Sequence, residues 1–319
     1  MKKIIITLPL EESETEEFYS AAGGERGGYE PVFKNGEQLT AEDVKDASAI
    51  VGMVPEDLLS GCECLEWLQL GWAGAENYCS NGLLKDDVVL TNASGAYGDA
   101  VSEHMAALTL ALACSLNIYI RQQEKRHWEL QWRRAVLAGS TVLVYGMGDI
   151  GTHYAAIMKS MGCHVIGISR TKKMKREFFD EQYVSDEALQ VIGRADVVAL
   201  ALPGGDDTRH IINKEAVKKM KSGAVLINAG RGSTVDTMAL IDGLSQGIIA
   251  GAGLDVFEDE PLGDSELWDM ENVIITPHAA GKLESEYNRR KVVELCLDNL
   301  HRYTQGEELL HVVDRKLAY

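Results

Sequence analysis

The sequence has few of the features that stabilise extracellular or metal-binding proteins. Its six cysteines are scattered, and it contains no CxxC pair and no HExxH motif. Neither a disulfide framework nor a zinc site is indicated, and we expect no metal. The first apolar run, residues 4–8, is too short for a signal peptide, and the run at 105–120 is too short and too polar to span a membrane. These absences predict a cytoplasmic protein with reduced thiols.

Positive charge is also scarce. The chain has 31 Lys and Arg against 49 Asp and Glu, which gives a formal net charge of −18. This net negative charge excludes nucleic-acid binding through the electrostatic field of the whole protein, and an anionic membrane should repel the chain. Any anionic small molecule must therefore be held by local cationic or amide groups. The 319 residues, 45% hydrophobic and 25% charged, indicate a globular protein of about two domains.

Short apolar runs alternate with helical patterns throughout, which is typical of parallel sheets covered by helices. Strands are predicted at residues 4–8, 49–53, 65–70, 88–90, 141–145, 164–168, 197–202, 224–228, 251–256 and 272–276. Helices are predicted at 42–47, 75–84, 150–161, 214–220, 237–245 and 284–303, with a long helix from Asp99 toward Trp128. The fold class is therefore α/β, with two doubly wound parallel-sheet domains.

A glycine motif ends one of these strands and opens a helix. Gly146, Gly148 and Gly151 form GxGxxG directly after the strand at 141–145. The first glycine permits a tight turn, the second lets the backbone approach a pyrophosphate, and the third lets helix and strand pack closely. A glycine-rich turn of an unrelated α/β fold is the alternative. The strand before the motif and the helix after it favour a dinucleotide site.

The next strand, residues 164–168, is followed by Ser169, whereas NAD enzymes usually place an Asp or Glu there to bind the ribose hydroxyls. The run continues with Arg170, Thr171, Lys172 and Lys173 and forms the densest basic cluster of the chain. Arginine can bind a 2′-phosphate through two parallel N–H donors. The later lysines are interpreted as the solvated start of a helix. The sequence thus predicts NADP as the preferred cofactor, with NAD possible.

Three ionisable residues follow three consecutive strands. Arg231, Glu260 and His278 come after the strands at 224–228, 251–256 and 272–276, at the edge where ligands of α/β sheets bind. An arginine fork holds a carboxylate, a histidine protonates a carbonyl oxygen, and a carboxylate beside the histidine favours its protonated form. Taken singly, they would be a surface arginine, a loop glutamate and a capping histidine. Together they predict reduction of a 2-oxo acid.

These segments resemble the D-isomer-specific 2-hydroxyacid dehydrogenase family. Within that family they are most similar to the NADPH-dependent glyoxylate/hydroxypyruvate reductases. Residues 142–151 resemble its cofactor motif, 228–236 its arginine motif, 253–262 its glutamate motif and 276–278 its histidine motif. The resemblance implies that Arg231 binds the substrate carboxylate and carbonyl. It also implies that His278 is the acid/base and that Glu260 is its partner.

The resemblance extends these expectations to the rest of the chain. A flavodoxin-like substrate domain is implied at residues 1–96 and 283–319, with a Rossmann cofactor domain inserted at 97–282, and the subunits are expected to pair as a homodimer. The cofactor contacts expected are Gly146, Gly148, Asp149, Ile150, Gly151, Ser169, Arg170, Thr171, Leu202, Pro203, Ala229, Gly230 and Asp255. Backbone amides at Trp72, Ala73 and Gly74 are expected to hold the substrate carboxylate. Trp72 either narrows the pocket toward small substrates or packs beneath it.

Other functions remain open at this point. An NAD-linked dehydrogenase of the phosphoglycerate type would need a further cationic anchor for phosphate and usually an acidic residue for ribose, and neither is evident. Formate dehydrogenases resemble the fold but carry an amide where Glu260 stands. A non-catalytic dinucleotide-sensing module could retain Arg231, Glu260 and His278.

Overall fold

The chain divides into two compact α/β units. The computed structural model describes residues 1–23, 28–79, 82–131, 135–171, 176–283 and 285–317. Unit 1 comprises Met1–Tyr97 and Leu283–Tyr319, and unit 2 comprises Gly98–Lys282. The border expected from the sequence lies one residue earlier, between 96 and 97.

Unit 1 is built on a parallel sheet. Its strands are β1 (Lys2–Ile6), β2 (Tyr29–Phe33), β3 (Ala47–Val51), β4 (Trp67–Gln69) and β5 (Val89–Thr91). Its helices are α1 (Glu12–Ala21), α2 (Ala41–Val44), α3 (Glu56–Leu59) and, from the C-terminal part of the chain, α10 (Glu286–Gln305). The strand order β2-β1-β3-β4-β5 is that of a flavodoxin-like sheet.

A buried polar network ties the C-terminal part of unit 1 to its sheet. Trp67 Nε1 donates to Thr91 Oγ1 at 2.8 Å, and that hydroxyl donates to Gln69 Oε1 at 2.7 Å. Asn299 Nδ2, on α10, donates to the same Gln69 oxygen at 2.7 Å. Asn299 Oδ1 in turn accepts from the amide of Leu310 at 2.8 Å. Because these buried groups bond one another, the network stabilises one arrangement of α10 and the tail after it.

Unit 2 is a larger parallel sheet with helices around it. Its strands are β6 (Thr141–Tyr145), β7 (His164–Ser169), β8 (Glu181–Val184), β9 (Val197–Leu200), β10 (Ala224–Asn228), β11 (Ile249–Leu254) and β12 (Val273–Ile275). Its helices are α4 (Gly98–Ala113), α5 (Leu116–Glu124), α6 (Asp149–Ser160), α7 (Ala188–Val191), α8 (Lys214–Lys219) and α9 (Thr237–Ser245). The strand order is β12-β11-β10-β9-β6-β7-β8, so the order reverses between β6 and β9. This is a Rossmann arrangement with its switch point after β6, and the predicted fold class is confirmed.

Several helix predictions were wrong in extent. The long helix expected from Asp99 breaks at Ser115, which has a left-handed φ of 56°, and α4 and α5 are bent by 69°. Instead of an α-helix at 75–84, the described residues form a 3-10 turn at Glu76–Cys79. The helix expected at 42–47 ends at Val44, because β3 begins at Ala47.

Within the described ranges, no single helix is long and apolar enough to cross a membrane. Only when the bent pair α4 and α5 is taken as one segment do its length and apolar composition suffice for a span.

Candidate active site

The glycine turn after β6 leaves open space at the N-terminus of α6. Gly146 has a φ of 93°, and a Cβ there would lie 2.4 Å from the Ala201 carbonyl oxygen. A Cβ on Gly151 would lie 1.8 Å from the Gly146 carbonyl oxygen, whereas one on Gly148 would meet nothing within 4 Å. Asp149 and Ile150 form the first turn of the helix. This crowded turn beside an open helix N-terminus fits the pyrophosphate of a dinucleotide.

The end of β7 carries no carboxylate. Ser169 Oγ donates to the carbonyl oxygen of Thr171 at 2.8 Å, which closes a short turn around the exposed Arg170. Lys172 and Lys173, the other expected members of the basic cluster, lie outside the described residues. A hydroxyl and a guanidinium at this strand end are compatible with a phosphate on the ribose.

The loops after β9 and β10 touch at the same edge of the sheet. A Cβ on Gly230 would lie 2.7 Å from the Leu202 carbonyl oxygen, so the two backbones are in direct contact. Leu202 and Pro203 are half-buried, and Ala229 is buried. These predicted cofactor residues therefore lie together beyond the carboxyl ends of neighbouring strands.

Buried hydrogen bonds fix the backbone of Arg231. The residues 228–237, here called the arginine segment, follow β10. Asn228 Oδ1 accepts from the amide of Gly230 at 3.1 Å, and Asn228 Nδ2 donates to the Arg231 carbonyl oxygen at 3.0 Å. Thr234 Oγ1 donates to the same carbonyl at 2.6 Å, and Arg231 Nη1 donates to the Gly230 carbonyl oxygen at 2.8 Å. The arginine is thus presented from a rigid turn.

Glu260 and His278 form a hydrogen-bonded pair. His278 Nδ1 lies 2.8 Å from Glu260 Oε2, and Glu260 Oε1 accepts from the amide of Phe257 at 2.9 Å. Because a carboxylate accepts, Nδ1 carries the hydrogen, and Nε2 remains at the far end of the ring for proton exchange. His278 has a left-handed φ of 51°, and its amide donates to the Asp255 carbonyl oxygen at 2.8 Å.

Asp255 organises the residues around His278, which we call the histidine segment (276–280). Its carboxylate is 1% exposed. One oxygen accepts from Thr276 Oγ1 at 2.6 Å and from the Ala279 amide at 2.8 Å, and the other accepts from the Ala280 amide at 3.1 Å. His104 Nε2 lies 3.0 Å from Thr276 Oγ1, which already donates to Asp255, so His104 is the donor. Contact of Asp255 with the cofactor stays a prediction, whereas its bonds to the histidine segment are direct.

Sequence reasoning missed three contributors near these residues. Glu258 bonds both His210 and Thr237, and none of the three was singled out from the sequence. The run Glu258-Asp259-Glu260 contains three carboxylates, and their partners depend on the turn that follows β11. No pattern in the sequence distinguishes them beyond the resemblance that selected Glu260.

In unit 1, the loop after β4 has fixed carbonyls. The carbonyl oxygen of Trp72 accepts from the amide of Ala93 at 3.0 Å, and that of Ala73 accepts from Asn92 Nδ2 at 2.6 Å. For the amides of Trp72, Ala73 and Gly74, no acceptor occurs among the residues that the structure describes. The Trp72 ring lies 6.1 Å from that of Tyr78, so it packs partly against the core of its own unit.

Among the residues that the structure describes, no group of three or more His, Cys, Asp or Glu side chains is arranged to hold a metal ion. Cys62, Cys64, Cys79, Cys114, Cys163 and Cys296 are all free.

The dinucleotide turn and the His–Glu pair, set along one edge of a Rossmann sheet, define a nicotinamide-dependent oxidoreductase. Comparison with protein families makes the assignment specific. The model of the D-isomer specific 2-hydroxyacid dehydrogenase NAD binding domain matches residues 106–280. The chain belongs to this family, as the resemblance predicted.

Known relatives and solved structures agree with the family. Glyoxylate reductase of Thermococcus litoralis is 33% identical over 279 residues, which covers 83% of each chain. Glyoxylate reductase of Pyrococcus furiosus is 34% identical over 279 residues, covering 83% of this chain and 82% of the relative. The NADPH-dependent glyoxylate/hydroxypyruvate reductase of Sinorhizobium meliloti, solved with NADP and sulfate, is 29% identical with a TM-score of 0.83 and covers 100% of both chains. A family protein from Aeromonas salmonicida is 29% identical with a TM-score of 0.84, covering 98% of this chain and 99% of the other.

Proposed function

We propose that this protein reduces a small 2-oxo acid, such as glyoxylate or hydroxypyruvate, to the D-2-hydroxy acid with NADPH. The observation that carries the proposal is the hydrogen bond of 2.8 Å between Glu260 Oε2 and His278 Nδ1. These residues follow β11 and β12, and the arginine segment follows the neighbouring strand β10. The glyoxylate reductases among the relatives support the substrate class.

Each residue of the site has a role in this reaction. The Arg231 guanidinium binds the substrate carboxylate and polarises the carbonyl. The backbone amides of Trp72, Ala73 and Gly74 are proposed to donate hydrogen bonds to the substrate carboxylate as well. When bound, the cofactor supplies a hydride to the carbonyl carbon, and His278 Nε2 delivers a proton to the carbonyl oxygen. Glu260 holds the His278 ring through Nδ1 and so fixes its tautomer and orientation.

Turnover tests this proposal and separates it from the alternatives. Glyoxylate and hydroxypyruvate are expected to be reduced with NADPH, and bulkier 2-oxo acids more slowly. Oxidation of a phosphorylated 2-hydroxy acid with NAD, without reduction of the small acids, would instead favour the phosphoglycerate type. NADPH binding without turnover of any acid would favour a dinucleotide-sensing module.

Cofactor choice gives a separate prediction. We expect a higher kcat/KM with NADPH than with NADH, because Ser169 and Arg170 stand where a carboxylate would repel the 2′-phosphate. The double variant Ser169→Asp with Arg170→Ile should move the ratio toward NADH by about tenfold or more, since it removes a charged hydrogen-bond donor and adds a like charge.

The measurement is kcat/KM for both cofactors with one accepted 2-oxo acid. As a control, Arg194→Ile removes another exposed arginine of unit 2, one paired with Glu181, and should leave the ratio unchanged. Equal efficiencies, or an NADH preference in the parent protein, would contradict the prediction while leaving hydride transfer intact.

We further propose that the protein works in the cytoplasm as a homodimer paired through unit 2. Large apolar side chains along and after α5 support the pairing, since Ile120 is 59% exposed and Trp128 is 100% exposed. Pairing through this region would cover these apolar side chains.

A further inference from the structure

The acidic run after β11 separates into residues with different partners. Residues 255–260 are here called the glutamate segment. Glu260 turns toward His278, and Asp259 is exposed. Glu258 turns toward the arginine segment, and its side chain is 24% exposed. A half-buried carboxylate needs hydrogen bonds to offset lost hydration, so its partners show what it holds in place.

One oxygen of Glu258 is bound to the end of the arginine segment. Oε2 accepts from the amide of Thr237 at 2.9 Å and from the Thr237 hydroxyl at 2.5 Å. Thr237 is the first residue of α9, whose N-terminal amides favour a negative charge. The glutamate segment is thereby fastened to the helix that follows Arg231.

The other oxygen is bound to a residue that also contacts the arginine segment. His210 Nε2 lies 2.5 Å from Glu258 Oε1 and must carry the hydrogen, because a carboxylate accepts. Arg209 Nη2 lies 3.9 Å from the same oxygen. His210 has a left-handed φ of 50°, and its amide donates to the Ser233 carbonyl oxygen at 2.8 Å. Burial alone would raise the pKa of Glu258, but the bonds from Thr237 and His210 outweigh it and lower the pKa, so the carboxylate is ionised at neutral pH.

The two segments also meet directly beside the reacting groups. A Cβ on Gly232 would lie 1.8 Å from the Phe257 carbonyl oxygen, so these backbones pack without a side chain between them. The Phe257 amide donates to Glu260 Oε1 at 2.9 Å. Arg231 adjoins Gly232 and Glu258 adjoins Phe257, so a shift between the segments would displace Arg231 and Glu260 relative to each other.

We propose that Glu258, together with His210, is a positioning residue that locks the arginine segment against the glutamate segment and so sets the geometry of Arg231 relative to Glu260. The inference rests on the proposed function for its kinetic consequences. A purely structural bridge would lower stability and leave the kinetics of the folded protein unchanged. A positioning residue changes both substrate KM, through Arg231, and kcat, through the Glu260–His278 pair.

The test compares variants of Glu258 with glyoxylate and NADPH. Glu258→Ala should raise the glyoxylate KM and lower kcat by about tenfold each, since small displacements of reacting groups are costly, while NADPH affinity changes by less than about twofold. Glu258→Gln should recover most activity. Its amide oxygen can accept from Thr237, and its amide nitrogen can donate to the other tautomer of His210.

The chain offers a matched control and a second variant. Glu181 also bonds a histidine, with Oε1 2.7 Å from His164 Nε2, but it lies on the edge strand β8. Glu181→Ala should lower the melting temperature without changing KM or kcat. His210→Asn keeps a residue type that tolerates positive φ but is too short to reach Glu258, and it should reproduce the KM and kcat changes more weakly.

Two results would overturn the proposal. The first is a Glu258→Ala protein that has a lower melting temperature, as Glu181→Ala does, but keeps the parental KM and kcat. If Glu258→Ala does not fold, the same criterion is applied to His210→Asn. If the parent reduces no 2-oxo acid, the proposed function fails, and hydrogen exchange in the folded variant decides instead. Faster exchange of the Val235 and Phe257 amides would then support the lock, and parental rates would overturn it.

Discussion

Replacing His278 with asparagine is expected to lower turnover by roughly a hundredfold or more, because a positioned proton donor typically contributes that much. Asparagine tolerates the left-handed φ of 51° at this position, so the backbone of the histidine segment should stay in place. Its shorter amide cannot deliver a proton to the carbonyl oxygen. The measurement is kcat with glyoxylate and NADPH, together with the dissociation constant of NADPH, which should hardly change.

The matched control is His164→Asn, since His164 also pairs with a carboxylate but stands at the start of β7. It should retain parental turnover. A folded His278→Asn protein with full activity would remove His278 from the mechanism.

Arg231→Lys is expected to raise the substrate KM and lower kcat, with a combined loss of roughly ten- to a hundredfold in kcat/KM. A charged hydrogen bond is worth about 1.5–3 kcal/mol, and lysine keeps the charge but loses the two-pronged donor. Asn228 and Thr234 bond the backbone of residue 231, not its side chain, so they should preserve the turn in the variant. Michaelis constants with glyoxylate at saturating NADPH measure the effect.

Arg194→Lys is the control for this substitution. Arg194 makes close contacts with Glu181 on β8, away from the predicted substrate residues, and its replacement should leave the kinetics unchanged. Parental KM and kcat in Arg231→Lys would mean that the arginine has a structural role.

The central strands of unit 2 were predictable because they are buried on both faces. Residues 141–145 and 224–228 are apolar runs bounded by turn residues, and β6 and β10 have those bounds. Such strands can be recognised from the sequence alone, because side chains on both faces of the sheet are buried and must be apolar.

Two of the four edge strands and the solvent-facing helix α1 lack such an apolar run. β2 contains Pro31, and β8 has the half-buried polar sequence EQYV; neither was predicted. Both lie at sheet edges, where proline and polar residues are tolerated. The glutamate-rich α1 buries Phe18 and Ala21 and shows too narrow an apolar face to be recognised.

For the site, the sequence predicted which residue types stand after which strands. The pairing of Glu260 with His278 followed from two motifs on strands that proved to be neighbours, β11 and β12. The partners of Glu258 could not be read in the same way. They depend on the path of the loop after β9, which places His210, at a φ of 50°, against the arginine segment. No local pattern in the sequence predicts that path.

The discontinuity of unit 1 affects the order in which the protein can fold. Gln69 is synthesised early, whereas its partner Asn299 lies 230 residues later in the chain. All of unit 2 leaves the ribosome in between, and domains generally fold as they emerge. Until α10 arrives, the Gln69 oxygen lacks a donor that it has in the finished structure, and the face of unit 1 that α10 covers remains open. Unit 1 is therefore the first unit to begin emerging and the last to be completed, because its sheet is covered only once α10 has been synthesised.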